Sequence, residues 1–356
     1  IGIEPNLVGG ECPYWACLPS KIMTRAARAV REAHRVGGMA GDADVTPDWE
    51  PVAEKVRWMT GGWDDSYAVE RYGNRGGTLI KAHGKLTGPC TVAVGDETYT
   101  ARKGIVIATG SEPFIPPIPG LDEVDYWTTR DVIAMEEVPE SMVIIGGGAS
   151  GLELGQVVAT FGADVTILEA EDRLLSKEEP EASEVVEAAF ADDGIDVRTG
   201  ARAERVESRD GSIVVTLDGG EEVEAERLFV ATGRSVDLSD LGLESAGLDG
   251  SAPFIEVDEN LRAADGIWAM GDVTGEALLS LLAVYHSKIV AADILGREHP
   301  PVQHDVVPRI TFTDPAVGSV GMTESDARAA GRDVVVAVKQ LPATFAGVVH
   351  WEDRGI

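Results

Sequence analysis

Two cysteines five positions apart, followed by Pro-Ser-Lys, are the residues whose types and spacing indicate chemistry most directly. Cys12 and Cys17 lie in the segment Gly9–Lys21. On a regular helix, which rises about 1.5 Å per residue, such a pair lies near or beyond the roughly 7 Å Cα separation that a disulfide allows. A bond between them therefore needs a distorted helix start, for which Pro13 is suited. A disulfide at a helix N-terminus is easily reduced, because the helix dipole stabilises the resulting thiolate.

The alternatives to a redox-active disulfide are two buried structural cysteines or half of a zinc site. Zinc requires further Cys or His ligands, and the next candidate along the chain, His34, stands alone. The third cysteine, Cys90, lies in a Gly-Pro-rich stretch and is predicted to be an inert buried thiol. Three cysteines without an extracellular pattern favour a reducing, cytoplasmic compartment, where a disulfide is usually catalytic. No metal site is predicted.

Composition restricts the partners of the protein. The 356 residues carry a formal net charge of −31, which argues against nucleic acid and anionic membranes as partners. No run approaches the roughly 18 apolar residues of a membrane helix. The length allows two or three domains, and the first residue, Ile1 rather than Met, leads us to expect a fragment.

A second motif is a glycine turn between a predicted strand and a predicted helix. Residues Met142–Ile145 form an apolar run typical of a buried strand, and Gly146–Gly151 follow with the spacing G-x-G-x-x-G. A helix over about Leu152–Phe161 and a strand over Asp164–Leu168 complete the unit. This order is the fingerprint of a dinucleotide-binding Rossmann unit.

The glycines of the turn predict how the nucleotide binds. Gly146, Gly148 and Gly151 let the backbone approach a pyrophosphate at the helix N-terminus. Glu169, at the end of the second strand, accepts hydrogen bonds from an adenosine ribose and repels a 2′-phosphate, which favours NADH over NADPH. Arg173, four residues later, keeps NADPH open as the alternative.

An internal repeat indicates a second Rossmann-like unit. Residues 104–110 and 227–233 are both apolar strands that end in Ala-Thr-Gly. Residues 1–107 contain no G-x-G-x-x-G of their own. The opening Ile1–Glu4 is therefore interpreted as the second strand of this unit, with Glu4 as its ribose-binding acid. Its first strand and glycine turn are expected to be missing upstream.

The cysteine segment resembles the active-site helix of the flavin-dependent pyridine nucleotide–disulfide oxidoreductases, which include dihydrolipoamide, glutathione and mercuric reductases. Their usual form is Gly-Gly-Thr-Cys-Leu-Asn-Val-Gly-Cys-Ile-Pro-Ser-Lys, whereas Pro13–Ala16 form the spacer here. Residues 266–273 resemble the family's second FAD motif, in which Asp272 binds the ribityl chain. A helix N-cap ahead of residues 278–295 is the alternative role of Asp272. Residues 308–315 and 320–323 resemble the opening of the family's dimer-interface domain.

The resemblance implies an α/β fold with two Rossmann-like FAD/NAD(P)-binding domains and the start of an α+β dimer-interface domain. The expected FAD-binding domain is split between 1–115 and 252–304. The expected NAD(P)-binding domain covers 116–251, and the expected interface domain covers 305–356.

The resemblance also implies a reaction and residue roles. Electrons pass from NAD(P)H, with NADH favoured, through FAD to a Cys12–Cys17 disulfide and on to a small-molecule disulfide or related electrophile. Cys17 is the flavin-proximal thiol and Cys12 attacks the substrate, while Lys21 and Glu153 form an ion pair near the flavin. The expected cofactor-binding residues are Glu4, Gly10, Lys21, Gly84, Ala108, Thr109, Gly110, Asp272, Leu279, Gly146, Gly148, Gly151, Glu169 and Gly233. The full-length protein is expected to be a homodimer.

The substrate stays open between mercuric reductase-like and dihydrolipoamide dehydrogenase activity. An alternative of another class is a redox-sensing nucleotide-binding protein without turnover, because the bulky Tyr14–Trp15 spacer could exclude a substrate. In the family the acid–base histidine comes from the partner subunit in a His-Pro context, and His299 is interpreted as part of a linker instead. The remaining histidines are expected to be structural or exposed, namely His34, His83, His286, His304 and His350.

Overall fold

The computed structural model describes residues 1–37, 39–276, 278–351 and 354–356. Chain contacts divide these residues into two compact units. The first unit comprises residues 1–17, 60–113 and 234–307, and the second unit comprises residues 18–59, 114–233 and 308–356.

Helices and strands alternate through most of the described chain. The helices are α1 (Glu11–Tyr14), α2 (Cys17–His34), α3 (Glu50–Met59), α4 (Ser66–Asn74), α5 (Thr129–Ala134), α6 (Ala149–Thr160), α7 (Pro180–Asp192), α8 (Ser280–Ile294), α9 (Glu324–Ala329) and α10 (Phe345–His350). The strands are β1 (Gly2–Ile3), β2 (Leu79–Ile80), β3 (Lys85–Gly88), β4 (Thr91–Val94), β5 (Glu97–Thr100), β6 (Ile105–Ile107), β7 (Glu112–Pro113), β8 (Ser141–Ile145), β9 (Asp164–Leu168), β10 (Asp196–Arg198), β11 (Ala203–Arg209), β12 (Ser212–Leu217), β13 (Glu222–Ala225), β14 (Arg227–Val230), β15 (Arg234–Ser235), β16 (Arg262–Ala264), β17 (Ile267–Ala269), β18 (Pro308–Thr311) and β19 (Val317–Val320).

The second unit is built on a four-stranded parallel sheet in the order β10-β9-β8-β14. In β8, Met142 to Ile145 are all buried, as expected for a parallel strand covered on both faces. The predicted strands on either side of the glycine turn are both present, and β9 has the predicted bounds. Helix α6 begins three residues before its predicted start, because Gly148 is its N-cap. The antiparallel sheet β11-β12-β13 and the hairpin β18-β19 complete the unit.

Helix α2 contributes apolar side chains to the core of the second unit. Met23 and Ala27 are buried in the same apolar cluster as Val56 and Leu152. Residues 18–59 therefore group with the nucleotide-turn unit by contacts, although the sequence placed them in the expected FAD-binding domain. The expected domain division itself stays a prediction.

The first unit contains several small sheets. Strand β17 pairs in parallel with β6 and antiparallel with β16, and β1 pairs in parallel with β2. Strands β3, β4 and β5 form an antiparallel sheet, and β7 pairs with β15. The core of this unit includes the buried residues Leu86, Ile107, Leu243 and Ile267.

One prediction about a single residue was wrong, and one alternative role is excluded. Cys90 is exposed rather than buried, because its Gly-Pro-rich stretch is the tight turn between β3 and β4, and such connections run over the surface. Asp272 does not cap the helix that follows it: the N-cap of α8 is Leu279, whereas Asp272 lies in a separate 3₁₀ turn, Gly271–Thr274.

Candidate functional site

The two cysteines lie on either side of an interruption in the helix. Helix α1 ends at Tyr14, and α2 begins at Cys17, so the distorted helix start that a disulfide needs is present. Both cysteines are half-buried and in the dithiol form. The Cys17 thiol donates a hydrogen bond to the hydroxyl oxygen of Ser280, with the sulfur and oxygen 3.3 Å apart.

Contact between the two thiols changes the acidity of Cys12. A hydrogen bond with Cys17 and then burial raise the pKa of the Cys12 thiol, while the hydroxyl of Ser280 works in the opposite direction. Cys12 is therefore protonated at neutral pH in this state. Only the thiolate is a nucleophile, so attack by Cys12 requires a proton acceptor.

The bulky spacer between the cysteines is held by contacts within the first unit. The buried Tyr14 donates its hydroxyl to the carbonyl oxygen of Val8, at 3.1 Å. The Trp15 ring stacks on Trp63, with the ring centroids 5.2 Å apart. Both aromatic side chains thus have packing partners, which explains the departure from the usual spacer in structural terms.

The turn before the cysteines is open on one side. Gly10 has a φ of +74°, a conformation that favours glycine. A Cβ atom on Gly10 would meet no atom within 4 Å. This local geometry fits a site where a ligand approaches the backbone closely.

A polar cluster surrounds Asp272 in the first unit. The Ser111 hydroxyl donates to the Asp272 carboxylate at 2.6 Å, and Arg234 Nε donates to Ser111 Oγ at 2.6 Å. Arg234 Nε also lies 3.9 Å from the same carboxylate. A Cβ on the neighbouring Gly110 would meet nothing within 4 Å. An oriented carboxylate beside an open backbone fits the hydroxyl-rich chain of a flavin nucleotide.

The other residues expected to contact FAD have the following surroundings. The Glu4 carboxylate, directly after β1, accepts a 2.8 Å hydrogen bond from the Asn6 amide. Gly84 is closely packed, since a Cβ there would lie 3.1 Å from Ile3 Cγ2. Ala108 and Thr109 are exposed at the end of β6.

Two histidines support the turn that carries Asp272. The Gly271 amide donates to Nδ1 of the fully buried His286 at 3.1 Å. Burial, and then the neighbouring His304, lower the pKa of His286 to about 4. A neutral His286 that accepts at Nδ1 carries its proton on Nε2, which lies 2.9 Å from His304 Nε2. His304 Nδ1 then donates to Glu276 at 2.9 Å, so the hydrogen bonds run in one direction from Gly271 to Glu276.

In the second unit, the glycine turn has two tightly packed positions and one open position. A Cβ on Gly146 would lie 2.5 Å from the carbonyl oxygen of Ala231, and a Cβ on Gly151 would lie 2.2 Å from that of Gly146. A Cβ on Gly148 would meet nothing within 4 Å. No side chain caps α6 at Gly148, so its first backbone amides are available to a phosphate.

The two residues that were expected to select the ribose are held by hydrogen bonds. The carboxylate of Glu169 accepts hydrogen bonds from the amides of Gly147, at 2.6 Å, and Glu171, at 2.8 Å. The Arg173 guanidinium donates to Leu175 O, Ser176 O and Ser183 Oγ at 2.6 to 3.0 Å. These bonds tie Arg173 to its own loop and to α7.

Lys21 and Glu153 form the ion pair that the sequence predicted, and both lie in the second unit. Lys21 Nζ is 2.5 Å from Glu153 Oε2, and Glu153 is buried. Glu153 Oε1 accepts the amide of Phe312 at 2.8 Å. The Lys21 ammonium also lies 4.5 Å from the centre of the Phe312 ring, within the range of a cation–π contact.

The two units divide the expected site residues between them. The first unit holds the cysteines and most of the expected flavin contacts: Glu4, Gly10, Cys12, Cys17, Gly84, Ala108, Thr109, Gly110, Asp272 and Leu279. The second unit holds the expected nucleotide contacts and the ion pair: Lys21, Gly146, Gly148, Gly151, Glu153, Glu169 and Gly233. Sequence reasoning missed Ser111, Arg234 and Ser280. Arg234 could have been found, because it directly follows the repeated Ala-Thr-Gly.

The described part of the chain was also considered for a metal centre and for a membrane-spanning helix, and neither is found there. No group of three or more His, Cys, Asp or Glu side chains is arranged there to hold a metal ion. Among the helices in those same residues, none has both the length and the apolar character needed to cross a bilayer.

Comparison with known proteins gives consistent results. Residues 2–292 match the model of the pyridine nucleotide-disulphide oxidoreductase family, and residues 307–354 match the family's dimerisation domain. The chain is 36% identical to a mercuric reductase of Bacillus cereus over 99% of its own length and 57% of that protein. It is 33% identical to a mercuric reductase of Staphylococcus aureus, of which it covers 66%. It is also 34% identical to a dihydrolipoyl dehydrogenase of Halobacterium salinarum, of which it covers 77%.

A solved structure confirms the fold class. The HOCl-induced flavoprotein disulfide reductase of Escherichia coli, in a Cu(II) complex, matches 99% of this chain with a TM-score of 0.85 and 25% identity, and the match covers 79% of that protein. FAD and a pyridine nucleotide are the cofactors that the matched family implies. The chain spans about three fifths of the length of the Bacillus cereus mercuric reductase and about two thirds of the length of the Staphylococcus aureus enzyme. The family model covers most of the chain, and the chain belongs to the pyridine nucleotide-disulphide oxidoreductase family.

Proposed function

We propose that the protein is an FAD-dependent NAD(P)H:disulfide oxidoreductase in which Cys12 and Cys17 carry the electron pair to a small-molecule disulfide. The observation that supports this most strongly is the contact between the two thiols across the interruption between α1 and α2. The same chain supplies a glycine turn with an uncapped helix end for the nucleotide.

FAD would be held by Glu4, Gly10, Gly110 and Asp272. When bound, FAD supplies the chemistry that converts hydride transfer from a nicotinamide into reduction of a disulfide. The chain's part is to orient the polar groups around Asp272 through Ser111 and Arg234. We propose that the Lys21–Glu153 pair contacts the flavin ring.

At the cysteines the reaction is thiol–disulfide exchange. The Cys12 thiolate attacks one sulfur of the substrate, which forms a mixed disulfide and releases one substrate thiol. The Cys17 thiolate then attacks Cys12 Sγ, which closes the Cys12–Cys17 disulfide and releases the second thiol. Restoring both thiols takes two electrons, supplied by one NAD(P)H, and each turnover consumes one proton beyond the hydride.

NADH is the proposed donor. The Glu169 carboxylate is fixed at the end of β9, where it would accept the ribose hydroxyls and repel a 2′-phosphate. The Arg173 guanidinium donates to the carbonyl oxygens of Leu175 and Ser176 in its own loop, which supports NADH rather than NADPH as the donor.

The proposed assembly is a homodimer in a reducing, cytoplasmic compartment. Residues that match the dimerisation domain expose several large apolar side chains, among them Ile310, Val320, Phe345 and Val348. Exposed apolar surface of this kind marks an interaction site. The compartment rests on the cysteine pattern alone.

A second candidate acceptor is a soft metal ion. Two of the relatives compared above are mercuric reductases, and the similar Escherichia coli structure is a Cu(II) complex. Paired thiolates are soft ligands that bind such ions. Dihydrolipoamide, glutathione disulfide, Hg(II) and Cu(II) are therefore the acceptors to compare.

The experiment is a turnover assay on the protein supplied with FAD and NADH. We expect acceptor-dependent NADH oxidation that is lost in Cys12→Ser and in Cys17→Ser and is retained in Cys90→Ser, whose residue is exposed on a turn. If NADH reduces the thiols but no acceptor reoxidises them, the redox-sensor alternative replaces the reductase. Full activity in the Cys12 and Cys17 variants would refute the proposed route.

A further inference from the structure

Every polar atom of the Gln156 side chain is engaged, although the glycine motif assigns this residue no role. Its Oε1 accepts the amide of Asp314 at 2.8 Å. Its Nε2 donates to the carbonyl oxygen of Asp314 at 3.0 Å and to Asp193 Oδ2 at 2.9 Å. Because a donor faces Oε1 and two acceptors face Nε2, only one orientation of the amide satisfies all three contacts. Gln156 is buried, with 4% of its surface exposed.

Glu153 lies three residues earlier on the same face of α6. Its carboxylate accepts the amide of Phe312 at 2.8 Å and contacts Lys21 at 2.5 Å. The helix therefore binds the amides of Phe312 and Asp314, two alternate residues beyond strand β18. Two side chains of α6 that lie three residues apart thus hold the backbone of this segment.

Charged groups hold the far end of this segment. Arg31 bridges Asp193, at 2.6 Å, and Asp314, at 3.0 Å, and Arg35 lies 2.7 Å from the same Asp314 oxygen. Burial works to raise the pKa of Asp314, but Arg35 and Arg31 hold it below its usual value. Asp314 therefore stays charged at neutral pH, and the segment stays anchored.

The neighbouring cavity explains why the Glu153 carboxylate needs to be held. Lys21, Glu153, Gln156 and Phe312 all line a cavity of about 230 Å³. A carboxylate on a cavity wall can rotate toward the open volume unless a second donor fixes it. The Phe312 amide is that donor, and its position depends on the segment that Gln156 holds.

We propose that Gln156 is a positioning residue: by binding Asp314 it places the Phe312 amide, which fixes the Glu153 carboxylate and thereby the Lys21 ammonium. The functional part of this inference rests on the proposed reductase activity, in which Lys21 and Glu153 contact the cofactor. The contact network itself exists independently of that activity.

The sharpest variant is Gln156→Glu, which preserves size. A carboxylate at this position cannot donate to the Asp314 carbonyl, and it faces the Asp193 carboxylate with Arg31, Asp314 and Glu153 close by. Protonating the new carboxyl at low pH restores one donor. Gln156→Met removes the polar atoms without adding charge. Thr160→Val is the matched control, because Thr160 lies on the same helix and donates only to the carbonyl oxygen of Gln156.

The experiment measures amide hydrogen exchange of residues 312–314, the rate of Lys21 acylation against pH, and NADH affinity. Near pH 8, Gln156→Glu and Gln156→Met should speed exchange by about tenfold and shift the Lys21 acylation profile. NADH affinity should stay unchanged, because the glycine turn is intact. Near pH 5, the exchange rate of residues 312–314 should return toward the wild-type rate in Gln156→Glu but not in Gln156→Met. Thr160→Val should match wild type at both pH values.

The proposal would be overturned if both Gln156 variants showed wild-type exchange at residues 312–314 and an unshifted Lys21 acylation profile. A protein without reductase turnover would refute the proposed function but would leave these exchange results unaffected. The two failures are therefore distinguishable.

Discussion

The amide of Gly147, inside the glycine turn, donates a 2.6 Å hydrogen bond to the carboxylate of Glu169 at the end of β9. This bond joins the element that would cradle a pyrophosphate to the residue that would select the ribose. Strands β8 and β9 are adjacent and parallel, so their C-terminal ends place the turn and the acid at one edge of the sheet. In the proposed reductase, nucleotide selection would therefore depend on a preformed local geometry.

Substituting Glu169 with Gln should narrow the preference for NADH over NADPH. The amide keeps an acceptor for Gly147 but loses the charge that repels a 2′-phosphate, a change of about 1–3 kcal/mol. Dissociation constants for both nucleotides, measured by fluorescence, check this. Arg173→Ala is the control: it should lower stability because two loop contacts and one contact with Ser183 of α7 are lost, while the nucleotide ratio stays the same. A wild-type protein that prefers NADPH would contradict the prediction.

Alanine at Gly148 should mainly weaken NADH binding, whereas alanine at Gly151 should mainly lower stability. Gly148→Ala places its methyl group in open space, so stability should change by less than about 1 kcal/mol while NADH affinity falls. Gly151→Ala would put Cβ 2.2 Å from a backbone oxygen and should destabilise the second unit. Urea unfolding and NADH titration of each variant separate the two effects. Undiminished NADH binding in Gly148→Ala would mean that this face of the turn does not meet the nucleotide.

Removing the Ser280 hydroxyl should make Cys12 less acidic. That hydroxyl works to lower the Cys12 pKa against Cys17 and burial, which raise it. In Ser280→Ala, the pH profile for iodoacetamide alkylation of Cys12, followed by peptide mass spectrometry, should shift to higher pH. Ser287→Ala is the control, since Ser287 donates only to Val284 O of its own helix. If the alkylation profile of Cys12 shifted to lower pH in Ser280→Ala, the Ser280 hydroxyl would not be lowering the Cys12 pKa.

His286 should make stability depend on pH below neutrality. Its pKa falls from an ordinary value of 6.5 to about 4 in the folded protein, so between those values the unfolded chain binds a proton that the folded chain does not. Stability should therefore decrease as pH falls from about 6.5 to 4. His286→Gln retains an acceptor for the Gly271 amide and cannot become charged, so its urea midpoint should fall less over this range. If the urea midpoints of the wild type and of His286→Gln fell in parallel with pH, His286 would not be a buried neutral residue in the folded protein.

Local sequence signals predicted the parts of the structure that local physics determines. The bounds of β9 followed from an apolar run between Gly162 and Glu169, and the Lys21–Glu153 contact followed from the family motifs. Prediction from the sequence was wrong where tertiary packing determines whether a residue is buried. Cys90 was placed inside because cysteines are often buried, but it occupies an exposed turn.

Other features depend on residues that are distant in sequence. Ser280 lies 263 positions from Cys17, and Asp314 lies 158 positions from Gln156. No periodicity or spacing records such a contact. Residues 18–59 show the same limit, because the apolar face of α2 could pack on either unit, and only the fold shows that Met23 and Ala27 join the core around Leu152.

The central claim, that Cys12 and Cys17 carry the electron pair, is tested most directly by counting thiols. The oxidised protein, supplied with FAD, is titrated anaerobically with NADH, and new thiols are alkylated and located by peptide mass spectrometry. The account predicts two new thiols for each NADH consumed, one at Cys12 and one at Cys17, with Cys90 labelled equally before and after. NADH consumption that leaves Cys12 and Cys17 unchanged would contradict it.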